Sequence, residues 1–153
     1  MLRISRPTFM ACFALALASN APSATQAPEP EGVMRTARSG AWSNRATWEK
    51  GRVPSSGDRV LIREGHEVLY NVQSDVVIRG IHIAGMLRFA ADRDTRLEVG
   101  LIRIQASDRY SEDGFDCEAH VSPPPAGGTG PAMLVGTPTR PIGAEHTAII
   151  RLH

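Results

Sequence analysis

Short apolar segments follow one another closely along the middle of the chain, and they constrain its fold more than any other feature. Between Arg59 and Ile104, glycines or polar residues separate each apolar triplet from the next. Alternate residues are apolar across 81–83 and 87–89, which is typical of strands with one buried face. The segments are too short, and the gaps too small, for helical crossovers. The sequence therefore predicts an all-β fold.

Two all-β architectures accommodate many short strands with glycine, asparagine or aspartate at the corners. One is a β-sandwich, and the other is a β-solenoid in which successive coils of the chain stack on each other. The apolar triplets recur without a clear fixed period, which weakens a regular solenoid but is tolerated in a parallel β-helix. The residue pattern by itself leaves both architectures open.

The N-terminal residues are organised like a secretory signal peptide. Arg3 and Arg6 precede an apolar segment at 9–18, and Ser19, Asn20 and Ala21 follow it. Small residues at 19 and 21 suit a signal peptidase, so we predict a signal peptide at 1–21 and a secreted protein, periplasmic or extracellular. The apolar segment is shorter than the roughly 20 residues that span a bilayer, so we expect no membrane span.

The rest of the chain divides into a lead-in and one domain. Residues 22–38 mix proline, alanine, glutamate and arginine without periodicity, and we predict a flexible lead-in. Residues 39–153 form the predicted domain, with a long loop at 107–131 that is acidic first and then rich in proline and glycine. The net charge is only +1, so the sequence indicates no nucleic-acid partner. An anionic polymer would need a local basic patch.

The segment 39–58 places two tryptophans among glycines, a proline and small polar residues. Exposed indoles suit sugar rings, so Trp42 and Trp48 are carbohydrate-binding candidates. The alternative, which we prefer, is a hydrophobic cap on the first layer of strands, since each buried indole removes ~150–250 Å² from water. Ser43 or Asn44 could cap a single helical turn before Trp48. The predicted cap residues are Trp42, Trp48, Gly51, Pro54, Gly57 and Asp58, with Asp58 accepting backbone N–H groups at a turn.

Acidic side chains cluster in the first part of the long loop. Carboxylates are the ligands that Ca²⁺ prefers, so a calcium site is one interpretation, although the spacing is not that of an EF-hand. A solvated acidic loop is the other, and we predict no further cofactor. The candidate metal ligands are Asp108, Glu112, Asp113, Asp116 and Glu118.

Arginines recur on or beside successive predicted strands. If those strands stack, some of the guanidinium groups could form a basic stripe for the carboxylates or sulfates of a polysaccharide. The alternative is ordinary outward-facing strand residues. The carbohydrate-binding candidates in this set are Arg79, Arg88 and Arg103.

The motif in 40–62 resembles the start of the G8 domain, a glycine-containing module of secreted and cell-surface proteins. The matching residues are Gly40, Trp42, Trp48, Gly51, Pro54, Gly57, Asp58, Val60 and Ile62. Residues 81–89, 134–137, Pro141 and 149–152 are similar to later parts of that domain. The resemblance implies a right-handed parallel β-helix of the pectate-lyase type, or its opening coils, and disfavours the sandwich. In that family the module usually precedes further β-helix, and its internal link is shorter than 107–131.

The sequence contains no residue set that by itself indicates an enzyme. We therefore expect a secreted, non-catalytic β-helical module for extracellular binding or structure, with polysaccharide as the candidate partner. The alternative is the N-terminal piece of a polysaccharide-degrading β-helix enzyme. A third hypothesis is self-association, or binding of a partner chain, at an open C-terminal end, because the predicted last strand leaves an edge.

Overall fold

A computed structural model describes residues 32–107, 109–112 and 130–153. The predicted signal peptide at 1–21, most of the lead-in and most of the 107–131 loop lie outside these residues. Strands are nearly the only regular secondary structure of the described residues, with one short 3-10 helix beside them, which confirms the all-β prediction. Within it, no helix is long and apolar enough to cross a membrane.

The described chain contains eleven strands and one short 3-10 helix, and the strands fall on the apolar triplets of the sequence. The helix spans Arg45–Thr47. The strands are β1 (Met34–Arg35), β2 (Gly40–Ala41), β3 (Arg59–Ile62), β4 (Glu67–Tyr70), β5 (Gln73–Ile78), β6 (Gly80–Ile83), β7 (Met86–Phe89), β8 (Thr95–Val99), β9 (Ile102–Ile104), β10 (Ala132–Leu134) and β11 (Ala148–Leu152).

The strands form three parallel sheets. The first has the order β1-β3-β6-β9, the second β10-β7-β4-β2 and the third β11-β8-β5. From β3 onward the chain visits the first, second and third sheet in that order three times, and we call each such passage a coil. All strand pairs in the described sheets are parallel, whereas the sandwich that we considered is built from antiparallel sheets.

The core lies between the sheets and consists of apolar side chains stacked in register. In the first sheet, Val60 pairs with Ile81 and Ile81 with Ile102, so equal numbers of residues separate the three. Val60 and Ile81 are almost completely buried. Coils differ in length at the other sheets, where the connections vary, which explains why the sequence shows no fixed period.

Glycine allows the corners of successive coils to stack closely. Gly85 joins β6 to β7, and a Cβ atom at this position would lie 2.2 Å from the carbonyl oxygen of His66 and 2.3 Å from that of Arg63. The corner is also held by backbone hydrogen bonds, including Met86 N–H to the His66 oxygen at 2.9 Å. Backbone approach of this kind requires glycine.

Aromatic side chains fill one end of the core. Trp42 packs edge-to-face on Trp48 with a centroid separation of 4.9 Å, and on Tyr70 at 5.0 Å. Tyr70 in turn lies 5.0 Å from Phe89 in the next coil. The Trp48 indole N–H donates to the Trp42 carbonyl oxygen at 2.9 Å, so its polar atom is satisfied inside the core.

The beginning of the domain differs in one respect from the prediction. We expected a flexible lead-in through Arg38, but Met34 and Arg35 form β1 and pair with β3. Met34 is fully buried in the core and Thr36 is fully buried beside it, which explains why this part of the predicted lead-in has a defined structure. The predicted helical turn before Trp48 is confirmed, with Asn44 as its cap: the Asn44 Oδ1 accepts from Ala46 N–H at 3.0 Å.

Candidate functional site

An open groove lies on the outer face of the second sheet. Leu69 of β4, Arg88 of β7 and Leu134 of β10 are neighbours in register and form its floor. The groove has a volume of about 590 Å³. Its lining residues are Leu69, Arg88, Phe89, Ala90, Ala91, Asp92, Leu134, Gly136, Thr137, Thr139, Arg140 and Pro141.

Arg88 gives the floor of the groove its positive charge. Its guanidinium forms an ion pair with Glu67, which lies beside it on β4. The Arg88 Nε atom is buried and has no hydrogen-bond partner in the described part of the chain. Buried donors are normally satisfied, so an unpaired buried Nε at this position is unusual.

The rim of the groove is a tight turn at 136–140. Thr137 N–H donates to the Arg140 carbonyl oxygen at 2.9 Å, and Arg140 N–H donates back to Thr137 at 3.0 Å. Gly136 has a φ of 71°, which favours glycine at the entry to the turn. The turn holds the exposed Arg140 side chain and two threonine hydroxyls at the opening. The sequence alone did not mark this stretch as part of a site, because only the β7–β10 pairing brings it beside Arg88.

The three arginines that we singled out as polysaccharide candidates do not lie in one stripe. Arg88 belongs to the second sheet. Arg103 lies on β9 of the first sheet, and Arg79 immediately precedes β6 of that sheet. Arg79 pairs with Glu112, and Arg103 Nε donates to Gln105 at 2.7 Å. Of the three, only Arg88 lines the groove.

Both tryptophans lie in the core. Trp42 is 3% exposed and Trp48 is 2% exposed, so neither presents an open indole face to a sugar. This is the placement that the cap interpretation requires. We therefore leave the tryptophans out of the candidate binding surface.

The loop that follows the tryptophans is organised by Asp58. Its carboxylate accepts two bonds from the Arg52 guanidinium, at 2.6 and 2.9 Å, and one from Ser55 N–H at 2.7 Å. The prediction that Asp58 accepts a backbone N–H is thus confirmed. These bonds, that from Arg52 first, hold the pKa of Asp58 below its usual value. Gly51 and Gly57 have positive φ angles, and Pro54 is buried in the same loop.

Glu112 is the single residue of the proposed calcium set that the structure describes; Asp108, Asp113, Asp116 and Glu118 lie outside. Its carboxylate accepts hydrogen bonds from Arg59 and Arg79, each through Nε at 2.7 Å. These bonds, that from Arg79 first, lower the pKa of Glu112 to about 2. The described residues contain no group of acidic, histidine or cysteine side chains that could hold a metal ion, and the calcium site stays a prediction.

A second carboxylate with several cationic neighbours lies on the outer face of the third sheet. Glu98 is only 2% exposed, and it accepts from Arg96 Nε and from His153 Nε2, both at 2.6 Å. Arg151 of β11 lies 3.7 Å away. The His153 hydrogen bond is the main cause that lowers the pKa of Glu98. In the sequence, Glu98 stands between two apolar residues, and only the pairing of β8 with β11 brings Arg151 and His153 to it.

Comparison with known proteins identifies the family. The family model of the G8 domain matches residues 47–153, which includes all strands from β3 to β11. No curated protein and no solved structure matches the chain. The match begins just before Trp48, within the motif that suggested the resemblance. The chain therefore belongs to the G8 domain family.

Proposed function

We propose that the protein is a secreted, non-catalytic module that binds polysaccharide, and that its sheets are the coils of a right-handed parallel β-helix. Support for the β-helix comes from parallel pairing in three sheets that the chain visits in a constant order. Crossovers between parallel strands are right-handed in nearly all proteins. Support for secretion comes from the signal-like sequence at 1–21.

The groove on the second sheet is the observation that carries the binding function. Its volume of about 590 Å³ lies in the range of ligand sites, which is roughly 300–1,000 Å³. Leu69 and Leu134 offer apolar surface to the C–H face of a sugar ring, and the threonine hydroxyls offer hydrogen bonds to its hydroxyl groups. Arg88 and Arg140 add guanidinium donors, which pair with carboxylates or sulfates in two-bonded geometry.

A glycan array tests this function. The mature chain is applied beside Arg140→Ala, which removes the exposed rim charge, and beside Arg45→Ala, a matched control that removes an exposed arginine from the 3-10 helix. We expect wild type and R45A to bind the same polysaccharide, and R140A to bind it about tenfold or more weakly, which is a loss of one charge-assisted contact. Absence of binding to every acidic and neutral polysaccharide would remove the proposal.

The alternative function is the first part of a polysaccharide-degrading β-helix enzyme, and the last coil is the observation that favours it. β9, β10 and β11 each end their sheet and pair on one side only in the described chain. Five of the seven exposed large apolar side chains of the described residues lie on or beside these strands: Leu101, Ile104, Val135, Ile149 and Leu152. Reading the gene beyond the His153 codon tests this function, because an in-frame β-helix would support it.

The same end of the stack also supports our third hypothesis, assembly through unpaired strand edges. Such edges accept a strand from a second copy or from another chain. Mass measurement of the purified chain across a concentration series tests assembly. A strict monomer at the highest concentration contradicts it.

A further inference from the structure

Two arginines of the first sheet converge on one carboxylate. Arg59 Nε and Arg79 Nε each lie 2.7 Å from Oε1 of Glu112, and Arg79 Nη2 lies 2.8 Å from Oε2. The Tyr110 hydroxyl donates to the same Oε1 at 3.2 Å. Both oxygens therefore receive charged donors, and Arg79 binds in the two-bonded manner in which guanidinium groups recognise planar oxyanions.

The sheet positions both arginines without help from Glu112. Arg59 is the first residue of β3 and pairs with Gly80 of β6. Arg79 precedes Gly80, and its backbone N–H donates to the Asp58 carbonyl oxygen at 3.0 Å. The two guanidinium groups therefore project from adjacent strands of one rigid ladder.

Glu112, in contrast, lies on a separate segment outside β3 and β6. It follows β9, and Tyr110 anchors this segment: the ring is 3% exposed and lies against Gly80, where a Cβ atom would come 2.2 Å from the Tyr110 oxygen. Water reaches the ion pairs, since the exposed fractions of the side chains are 27% for Arg59, 54% for Arg79 and 31% for Glu112. Because water reaches these ion pairs, another anion at sufficient concentration can compete with Glu112 for the arginines.

We propose that Arg59 and Arg79 form an oxyanion-binding site that Glu112 occupies from within the chain, and that a carboxylate or sulfate group of an external ligand binds there when Glu112 is displaced. The assignment of a polysaccharide as the source of this anion rests on the proposed function, whereas the site itself does not. Glu112 acts as an internal competitor, because its segment holds the carboxylate beside the two arginines. A polymer with many anionic groups competes better than a single small anion.

Inorganic sulfate probes the site. The melting temperature of the mature chain is measured against sulfate, with sodium chloride adjusted to hold ionic strength constant, for wild type, Glu112→Ala and Glu112→Ala/Arg79→Ala. We expect sulfate to raise the melting temperature of E112A by about 2–4 °C more than that of wild type, because it binds the folded state alone. The double variant is expected to lose this gain.

Glu49→Ala is the matched control, because it frees the single arginine Arg63 from a comparable exposed ion pair. A sulfate response of E112A no larger than that of wild type or E49A would overturn the site. If E112A fails to fold, Glu112→Gln keeps the side-chain size, and ¹⁵N shifts of the arginine Nε–H groups report sulfate binding directly. Unchanged Nε shifts of Arg59 and Arg79 in E112Q would likewise overturn it.

Binding of acidic polysaccharides to the same variants then tests the anion site and the proposed function independently of each other. Tighter binding of an acidic polysaccharide to E112A than to wild type supports both. A sulfate response without polysaccharide binding supports the anion site and contradicts the polysaccharide as its source. A third outcome is that E112A shows no sulfate response and binds the polysaccharide as wild type does, while R140A binds it more weakly. This outcome supports binding in the groove and overturns the anion site.

Discussion

At the scale of single residues, Asp58 shows how one side chain fixes a loop. It ties two other positions of the loop to its own, because it binds the Arg52 guanidinium and both the backbone N–H and the hydroxyl of Ser55. Only 14% of the side chain is exposed, so these bonds replace water that the carboxylate has lost. Asp58 also precedes β3 directly, and the loop therefore sets where the first complete coil begins.

Replacing Asp58 by asparagine is expected to lower the free energy of unfolding by about 1–2 kcal/mol, since charged hydrogen bonds are lost and a neutral acceptor remains. Urea denaturation measures the change. Asp75→Asn is the control: its carboxylate also pairs with an arginine, but it is 84% exposed, so its effect stays within about 0.5 kcal/mol. Equal effects of D58N and D75N would contradict the role of Asp58.

The same bonds predict the pH dependence of this contribution. The pKa of folded Asp58 is lowered, chiefly by the Arg52 hydrogen bond. Its stabilisation is therefore complete above the unfolded pKa of about 4 and is lost as pH falls through the lower folded value. The stability difference between wild type and D58N should be constant at neutral pH and shrink in acid. A difference that grows in acid would contradict this sign.

At the scale of elements, the corners decide whether one coil stacks on the next. The Gly85 corner lies directly on the corner that joins β3 to β4, and its carbonyl oxygen accepts from Ala132 N–H at 3.0 Å in the following coil. One glycine thus stands between two layers of backbone. The apolar side chains of successive coils can remain stacked in register only if the two backbone layers keep this close distance.

Gly85→Ala is expected to destabilise the fold by about 1–3 kcal/mol, because the new methyl group would meet two backbone carbonyl oxygens. Thermal unfolding followed by circular dichroism measures the loss. Gly143→Ala is the control, since its Cβ atom would first meet a side-chain atom of His146, at 3.2 Å. A G85A protein as stable as G143A would show that the corners do not control the stacking.

The anchored segment 109–112 has its own pH signature. Glu112 has a folded pKa of about 2, so its bonds to Arg59 and Arg79 persist in moderate acid. The stabilisation is complete above the unfolded pKa of about 4.3 and is lost as pH falls towards 2. The melting temperatures of wild type and Glu112→Gln should therefore differ by a constant amount above about pH 5 and converge below it. Convergence near neutral pH would contradict the ion pairs.

At the scale of the whole molecule, the sequence predicted local structure better than it predicted sites. Alternating apolar and polar residues in segments such as 81–83 predicted the strands, and Asn44 predicted the helical turn that it caps. Both signals are local in the sequence. The groove combines Leu69, Arg88 and Leu134 from three coils, and neither their pairing nor the turn at 136–140 beside them can be read from spacing. The sequence also failed to predict that Met34 belongs to a strand, for the same reason: its pairing partner lies in β3, far along the chain.

The proposed export of the protein makes a prediction about the mature chain. Expression of the complete sequence in a secreting bacterial host should release a protein that begins at Pro22, because Ser19 and Ala21 present small residues to the peptidase. Intact-mass spectrometry of the exported protein checks the cleavage site. Retention of residues 1–21 in the recovered protein would contradict the signal peptide.

We propose that this G8 domain binds a polysaccharide without cleaving it, and one titration examines both parts of the proposal. The purified mature chain is titrated with the best polysaccharide from the array, while the polymer length is followed in the same samples by size-exclusion chromatography. We predict saturable binding, weakened about tenfold by Arg140→Ala, and an unchanged polymer length. Absence of saturable binding, or progressive shortening of the polymer, would contradict the proposal.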